Sequence, residues 1–125
     1  MFKVVIDRKK WGRGDGEGYG SLLDPNTHKM CCLGFACRAV GAKPKELRNL
    51  SYPSDLYETW NEETYNYERS FPKELKGLSG KKLNDSQICR LLALANDNGK
   101  ITDAVREKRI KTLGKKARIN FTFVN

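Results

Sequence analysis

The stretch from Cys31 to Val40 limits the possible folds more than any other, because Arg38 is its only strongly polar residue. A helix that is apolar on nearly every side belongs in the middle of a domain. We therefore expect a short, buried central helix here. Gly34 is small enough to let a neighbouring element approach closely, and Gly41 is placed to end the helix in a left-handed conformation.

The remaining pattern predicts a single α+β domain over residues 1–125. Hydrophobic residues make up 38% of the chain and charged residues 31%, a balance typical of a small globular protein with one core. We expect strands at residues 2–6 and 119–124, and a hairpin at 21–30 that turns at D-P-N-T. These strands would form a small antiparallel sheet packed on the buried central helix and on two C-terminal helices.

Caps and apolar periodicity predict the two C-terminal helices. Asn84 or Asp85 would cap the first helix, and Thr102 would cap the second. The predicted core faces are Ile88, Leu91, Leu92 and Ala95 on the first helix and Val105, Ile110, Leu113 and Ala117 on the second.

Two segments before these helices have a weaker pattern. In residues 51–71, Ser54 is placed to cap a helix that carries Leu56 and Trp60. Residues 75–84 contain two glycines and are expected to form a loop.

Charge is unevenly distributed along this basic chain, whose formal net charge is +9. Residues 100–125 carry eight basic side chains against only two acidic ones, Asp103 and Glu107. Residues 51–70 show the reverse, with five acids against Arg69. Such a layout can attract a polyanion at one end of a molecule and repel it at the other.

The basic C-terminal helix is the first candidate for polyanion contact. Arg106, Arg109 and Lys116 fall near one side of it, where they can neutralise phosphates. Trp11 and Arg13 form a second basic and aromatic patch. The alternative is that these charges only form a solvated helix face.

The cysteines suggest a second, enzymatic interpretation. Cys31 and Cys32 lie at the predicted start of the central helix, where the helix dipole favours a thiolate, and His28 is three residues before Cys31. A nearby imidazole can activate a thiol as a nucleophile. Core packing of reduced cysteines is the competing interpretation. The spacing of His28, Cys31, Cys32 and Cys37 does not fit a zinc site, and no cofactor is expected.

The repeat from Gly12 to Gly20 has glycine at every second position. Repeated glycines expose backbone amides to phosphate, but the spacing fits neither G-x-G-x-x-G nor a G-K-[ST] ending. We expect a flexible surface loop.

Several runs resemble a family of small proteins encoded by tailed bacteriophages and prophages. The resemblance rests on I-D-R-K-K-W-G-R-G, S-L-L-D, K-M-C-C-L-G-F-A-C-R-A-V-G, I-C-R-L-L-A-L-A-N-D, R-E-K-R-I-K and the final N-F-T-F-V, and it is weakest between residues 43 and 70. The resemblance assigns no catalytic residue to this chain. It implies an accessory protein made in an infected bacterium, where small proteins of this kind bind host machinery or blunt host defence.

Together these observations predict a non-enzymatic protein that acts by stoichiometric binding, including action against a bacterial defence system. The partner would be a host protein, a nucleic acid or a signalling nucleotide. The alternative is a cysteine-dependent enzyme that uses Cys31 or Cys32. No apolar run approaches the length needed to cross a bilayer and no signal-peptide pattern is evident. We therefore expect a location in the host cytoplasm and no membrane partner.

Overall fold

A computed structural model describes residues 1–14, 21–79 and 83–125, with side chains from residue 87 onward in the last range. The fold is α+β, as predicted. Its elements are β1 (Phe2–Asp7), α1 (Cys32–Ala39), α2 (Pro44–Leu47), α3 (Pro53–Tyr57), β2 (Glu58–Asn61), β3 (Asn66–Arg69), a 3₁₀ helix (Lys73–Leu78), α4 (Leu83–Asp97), α5 (Asp103–Lys116) and β4 (Ile119–Val124). Most of the repeat from Gly12 to Gly20 lies outside the described residues.

The two terminal strands pair with each other, but the predicted antiparallel sheet is wrong. β1 and β4 run parallel, with Phe2 opposite Ile119 and Asp7 opposite Val124. Alternation of apolar and polar residues shows which face of a strand is buried, but it does not show the direction of the neighbouring strand. The direction had to come from the rest of the fold.

The predicted hairpin at residues 21–30 is also wrong, although its turn is present. The backbone N–H of His28 donates to the Asp24 carbonyl at 2.8 Å. The Asp24 N–H also donates to the Lys29 carbonyl at 2.8 Å. The arms do not continue as paired strands, because the Leu22 N–H donates to the Leu50 carbonyl and Met30 forms an isolated bridge with Trp11. The turn is therefore set locally, while residues in both arms also bond to other segments.

The central helix α1 has the predicted position and burial. Every residue from Cys32 to Cys37 is buried. At Gly34 an added Cβ would lie 2.0 Å from the carbonyl oxygen of Leu22, so a side chain there would collide with the backbone. Gly41 follows the helix with a φ of 101°, which confirms the predicted left-handed ending.

Residues 51–71 fold differently from the prediction. Tyr52, not Ser54, precedes α3, and Pro53 occupies its first turn. Trp60 lies in β2, which forms an antiparallel hairpin with β3 and pairs Trp60 with Tyr67. Proline is favoured at the first turn of a helix, and this preference decided the boundary.

Residues 75–84 were predicted to form a loop. Residues 75–78 instead belong to the 3₁₀ helix, in which Leu75 and Leu78 are buried, and residues 80–82 lie outside the described range. α4 begins at Leu83, so Asn84 and Asp85 are already helical and the predicted cap is wrong.

The last helix and strand follow the sequence closely. The Thr102 hydroxyl accepts the Val105 N–H at 3.3 Å, which confirms the predicted cap of α5. Ile110 and Ala117 are buried as expected. Val105 is 41% exposed, so its predicted place in the core is wrong. In the described part of the chain, no helix has the length and apolar character required to cross a membrane.

Candidate functional site

Trp11 was predicted to face a polyanion, but the structure places it in the core. Its side chain is 1% exposed and its ring packs 4.8 Å from that of Phe123. The indole Nε1–H donates to the Asn96 side-chain oxygen at 2.7 Å. A side chain so enclosed does not reach a partner, and we remove Trp11 from the candidate surface.

Asn96 is the centre of a buried hydrogen-bond network that the sequence did not reveal. Its Oδ1 accepts a second hydrogen bond from the Cys32 backbone N–H at 3.0 Å, and its Nδ2 donates to the Gly12 carbonyl at 2.9 Å. Cys31 makes no side-chain cap of its own. Asn96, which lies on α4, therefore caps α1 and links it to the N-terminal segment.

Arg106 was predicted to lie on the basic face of α5, and this placement is also wrong. The side chain is 4% exposed and pairs with Asp103. It also donates to the carbonyls of Asn98 and Ile101 at 2.6 and 3.0 Å. Arg106 thus holds together the turn between α4 and α5.

Arg13 shares the same carboxylate. Its Nη2 donates to the Asp103 Oδ2 at 2.9 Å, and its guanidinium lies 4.5 Å from the centre of the Trp11 ring. The hydrogen bond from Arg13, followed by the charges of Arg13 and Arg106, lowers the pKa of Asp103. Arg13 is therefore occupied by contacts within the protein.

The second acid of the basic stretch is paired in the same way. Arg8 donates to both carboxylate oxygens of Glu107, at 2.9 and 2.7 Å. Both acids near the start of α5 are thus paired with arginines. Seven exposed cations of residues 100–125 form no ion pair with any described residue: Lys100, Lys108, Arg109, Lys111, Lys115, Lys116 and Arg118.

Arg109 borders an apolar groove of about 620 Å³ between α4 and α5. Leu91 and Leu94 of α4 are 47% and 49% exposed, and Val105 of α5 faces them across the groove. Lys108 also lines it. The sequence placed Leu91 and Val105 in the core, so it identified apolar residues but not that they remain uncovered.

Lys116 lines a different, polar cleft of about 480 Å³ beside the end of α5. Two of the three predicted helix residues are therefore on the surface, in adjacent sites along one helix. The residues that line this basic cleft are Arg69, Phe71, Lys73, Glu74, Lys76, Gly77, Ser79, Lys116, Ala117 and Arg118.

The four thiols are buried, and the carboxyl-bearing Asp97 lines the same cleft as Cys31. Burial raises the pKa of Cys31, Cys37 and Cys89 to about 12, and raises that of Cys32 as well. Cys31 borders a small cleft of about 270 Å³, but the exposed His28 does not line it. Burial outweighs the helix dipole, so this geometry favours protonated, unreactive thiols.

Metal-ligating side chains do not gather in groups of three or more in the part of the chain that the structure describes.

The hairpin of β2 and β3 forms a second exposed apolar surface. Trp60, Tyr65 and Tyr67 are exposed and pack edge to face, with ring centres 6.3 and 5.2 Å apart. The exposed acids Glu62, Glu63 and Glu68 belong to the same hairpin. This surface repels polyanions but has the aromatic content of protein interfaces.

Comparison of the chain with protein-family models, with curated proteins and with solved structures gave no significant match.

Proposed function

We propose that this protein is a phage-encoded accessory protein that acts in the host cytoplasm by stoichiometric binding to a host protein. The groove between α4 and α5 carries the proposal. It joins exposed aliphatic side chains on two adjacent helices to unpaired cations on its border. The phage resemblance supplies the setting, in which the bound protein belongs to host machinery or to a defence system.

The chemistry of the groove favours one kind of partner. Apolar side chains left exposed on two adjacent helices commonly mark interaction sites. A groove of this shape accepts an amphipathic helix through its apolar face. Because Lys108 and Arg109 line the groove, acidic residues flanking that face would be attracted and aligned. We therefore infer an acidic amphipathic helix on the partner.

Catalysis by Cys31 or Cys32 receives less support. Both thiols are buried, their pKa values are raised, and the lone histidine lies outside the cleft that Cys31 borders.

Affinity capture from an infected host lysate tests the proposal through a groove variant. Leu91→Glu with Leu94→Glu places two acids at already exposed helix positions, so the fold should be retained. We expect this double variant to retain about a tenth or less of the partner captured by the wild type, since each substitution removes an apolar contact and adds repulsion from an acidic partner. Circular dichroism and thermal unfolding verify the fold.

Two control variants make the comparison specific. Lys3→Gln with Lys45→Gln changes the net charge by the same amount at exposed positions outside the groove. Trp60→Ser removes the largest exposed side chain of the rival hairpin surface. Both should capture the partner normally. Unchanged capture by the groove variant, or loss with Trp60→Ser alone, would refute the groove as the binding site.

A nucleic-acid partner gives a different result. Binding to duplex and single-stranded DNA that weakens steeply with salt, together with no captured protein, would reassign the function to polyanion binding.

A further inference from the structure

We propose that the basic cleft between the 3₁₀ helix and the end of α5 binds a phosphorylated small molecule, a nucleotide with at least two phosphates. The cleft is distinct from the groove, so this inference does not depend on the proposed protein partner. Its volume of about 480 Å³ is suited to such a ligand, since small-molecule sites range from about 300 to 1,000 Å³.

The cleft exists because two backbones approach closely. An added Cβ at Gly77 would lie 2.5 Å from the carbonyl oxygen of Ala117, so the 3₁₀ helix lies directly against the end of α5. This contact brings Lys73 and Lys76 into one cleft with Lys116. Side chains far apart in the sequence thereby become one cationic cluster.

The charge of the cleft is strongly unbalanced. Arg69 is paired with Glu58 at 3.0 Å, but Lys73, Lys76, Lys116 and Arg118 form no ion pair with a described residue. Glu74 is the one acid among the lining residues. Four unpaired cations against one acid leave a surplus of three positive charges. The partial negative charge at the end of α5, about half an elementary charge, offsets only a small part.

Arg118 is held in this cleft by a fixed backbone. Its φ is 61°, in the left-handed region that residues other than glycine seldom adopt. Its N–H donates to the Lys115 carbonyl at 3.1 Å, and its own carbonyl accepts the Phe2 N–H at 3.2 Å. The backbone of the cationic cluster is therefore set by the junction of α5 with β4, before any ligand arrives.

The presence of Phe71 favours a nucleotide over inorganic phosphate as the ligand of the cleft. It lines the same cleft, is only partly buried, and is supported by the Tyr57 ring at 5.2 Å. An aromatic face beside a cationic cluster is the arrangement by which proteins stack a base while they hold its phosphates. The site therefore combines charge for the phosphates with an aromatic surface for the base.

Calorimetric titration with ADP, AMP and inorganic pyrophosphate tests the inference. We expect ADP to bind more tightly than AMP, because the second phosphate meets further cations. Lys76→Gln with Lys116→Gln should weaken ADP binding about tenfold or more, since two charged contacts are lost in a partly exposed site. Lys45→Gln with Lys115→Gln is the matched control and should bind as the wild type does.

Phe71→Leu separates the base from the phosphates. It should weaken ADP binding while pyrophosphate binding stays unchanged, and thermal unfolding should show that the variant folds. Absence of ADP binding at low salt would overturn the inference. So would an equal loss of ADP affinity in the control variant with Lys45→Gln and Lys115→Gln. Tighter binding of a single-stranded hexanucleotide than of ADP would also overturn it, because the cleft would then serve a nucleic-acid backbone.

Discussion

At the residue scale, the buried side chain of Asn96 connects separate parts of the fold. One fully buried amide satisfies the indole of Trp11, the first backbone N–H of α1 and the carbonyl of Gly12. These groups belong to the N-terminal segment and to α1, so Asn96 joins both of them to α4. Buried polar groups are costly when they lose their partners, so the network fixes how the segments are arranged.

Asn96→Ala should therefore destabilise the protein strongly. Two buried donors would lose their acceptor, and each costs about 1–3 kcal/mol, so we expect a loss of about 3 kcal/mol in the free energy of unfolding. Urea denaturation measures it. Asn98→Ala is the control, because that side chain accepts a single exposed hydrogen bond from Lys100. Equal losses in the two variants would contradict the role assigned to Asn96.

The buried thiols should make the free energy of unfolding depend on pH. Folding raises the pKa of Cys37 to about 12, from about 8.5 in an unfolded chain. The folded state therefore keeps a proton that the unfolded state loses above that value. This contribution is fully present below pH ~8.5 and is lost as pH rises toward 12. Under reducing conditions, the decline should be shallower in Cys37→Ala by about 1.4 kcal/mol per pH unit.

Alkylation of the native protein provides an independent check on the thiols. At neutral pH all four should react slowly, and all four should react at once in denaturant. A single fast-reacting cysteine at the start of α1, or a Cys37→Ala variant with the same pH slope as the wild type, would contradict the burial described above.

At the scale of secondary structure, α1 departs from ordinary helix preferences. Inside a helix, alanine is normally more favourable than glycine by about 1 kcal/mol. At position 34, however, the methyl group of alanine would collide with the Leu22 carbonyl. We expect Gly34→Ala to destabilise the protein by about 1–3 kcal/mol, as overpacking does. Thr112→Ala at an exposed position of α5 should be neutral or stabilising. Greater stability of Gly34→Ala, measured by thermal unfolding, would show that the two segments are not in close contact.

Short sequence patterns predicted the elements that are determined by residues close together in the chain. α5 was found because Thr102 caps it and Ile110 and Ala117 recur on one side. The β2–β3 hairpin was missed because Trp60 sits four residues after Leu56, a spacing that also suits a helix. The parallel pairing of β1 with β4 depends on the whole chain between them, and no short pattern encodes it.

The candidate site was predicted in part for the same reason. Arg109 and Lys116 are exposed, as the helical spacing suggested. Arg106 is buried because the turn between α4 and α5 covers it, and spacing along one helix does not report what another segment covers. Its position three residues after Asp103 was the available signal, since such pairs are neighbours on a helix.

At the scale of the whole molecule, the two exposed apolar surfaces carry charges of opposite sign. The hairpin combines exposed aromatic rings with acids, whereas α5 combines an apolar groove with unpaired cations. Arg8 and Arg13 contribute to this arrangement by occupying the two acids of α5. The N-terminal segment thus leaves the outer face of α5 positive, and this face is where we place the function.

Calorimetric titration of the captured and purified host protein into this chain, repeated at several temperatures, tests that placement most directly. We expect saturation at one partner per chain and a negative change in heat capacity, as burial of apolar surface requires. Both should be lost with Leu91→Glu and Leu94→Glu. Turnover of the partner without saturation, or an unchanged titration with the groove variant, would contradict it.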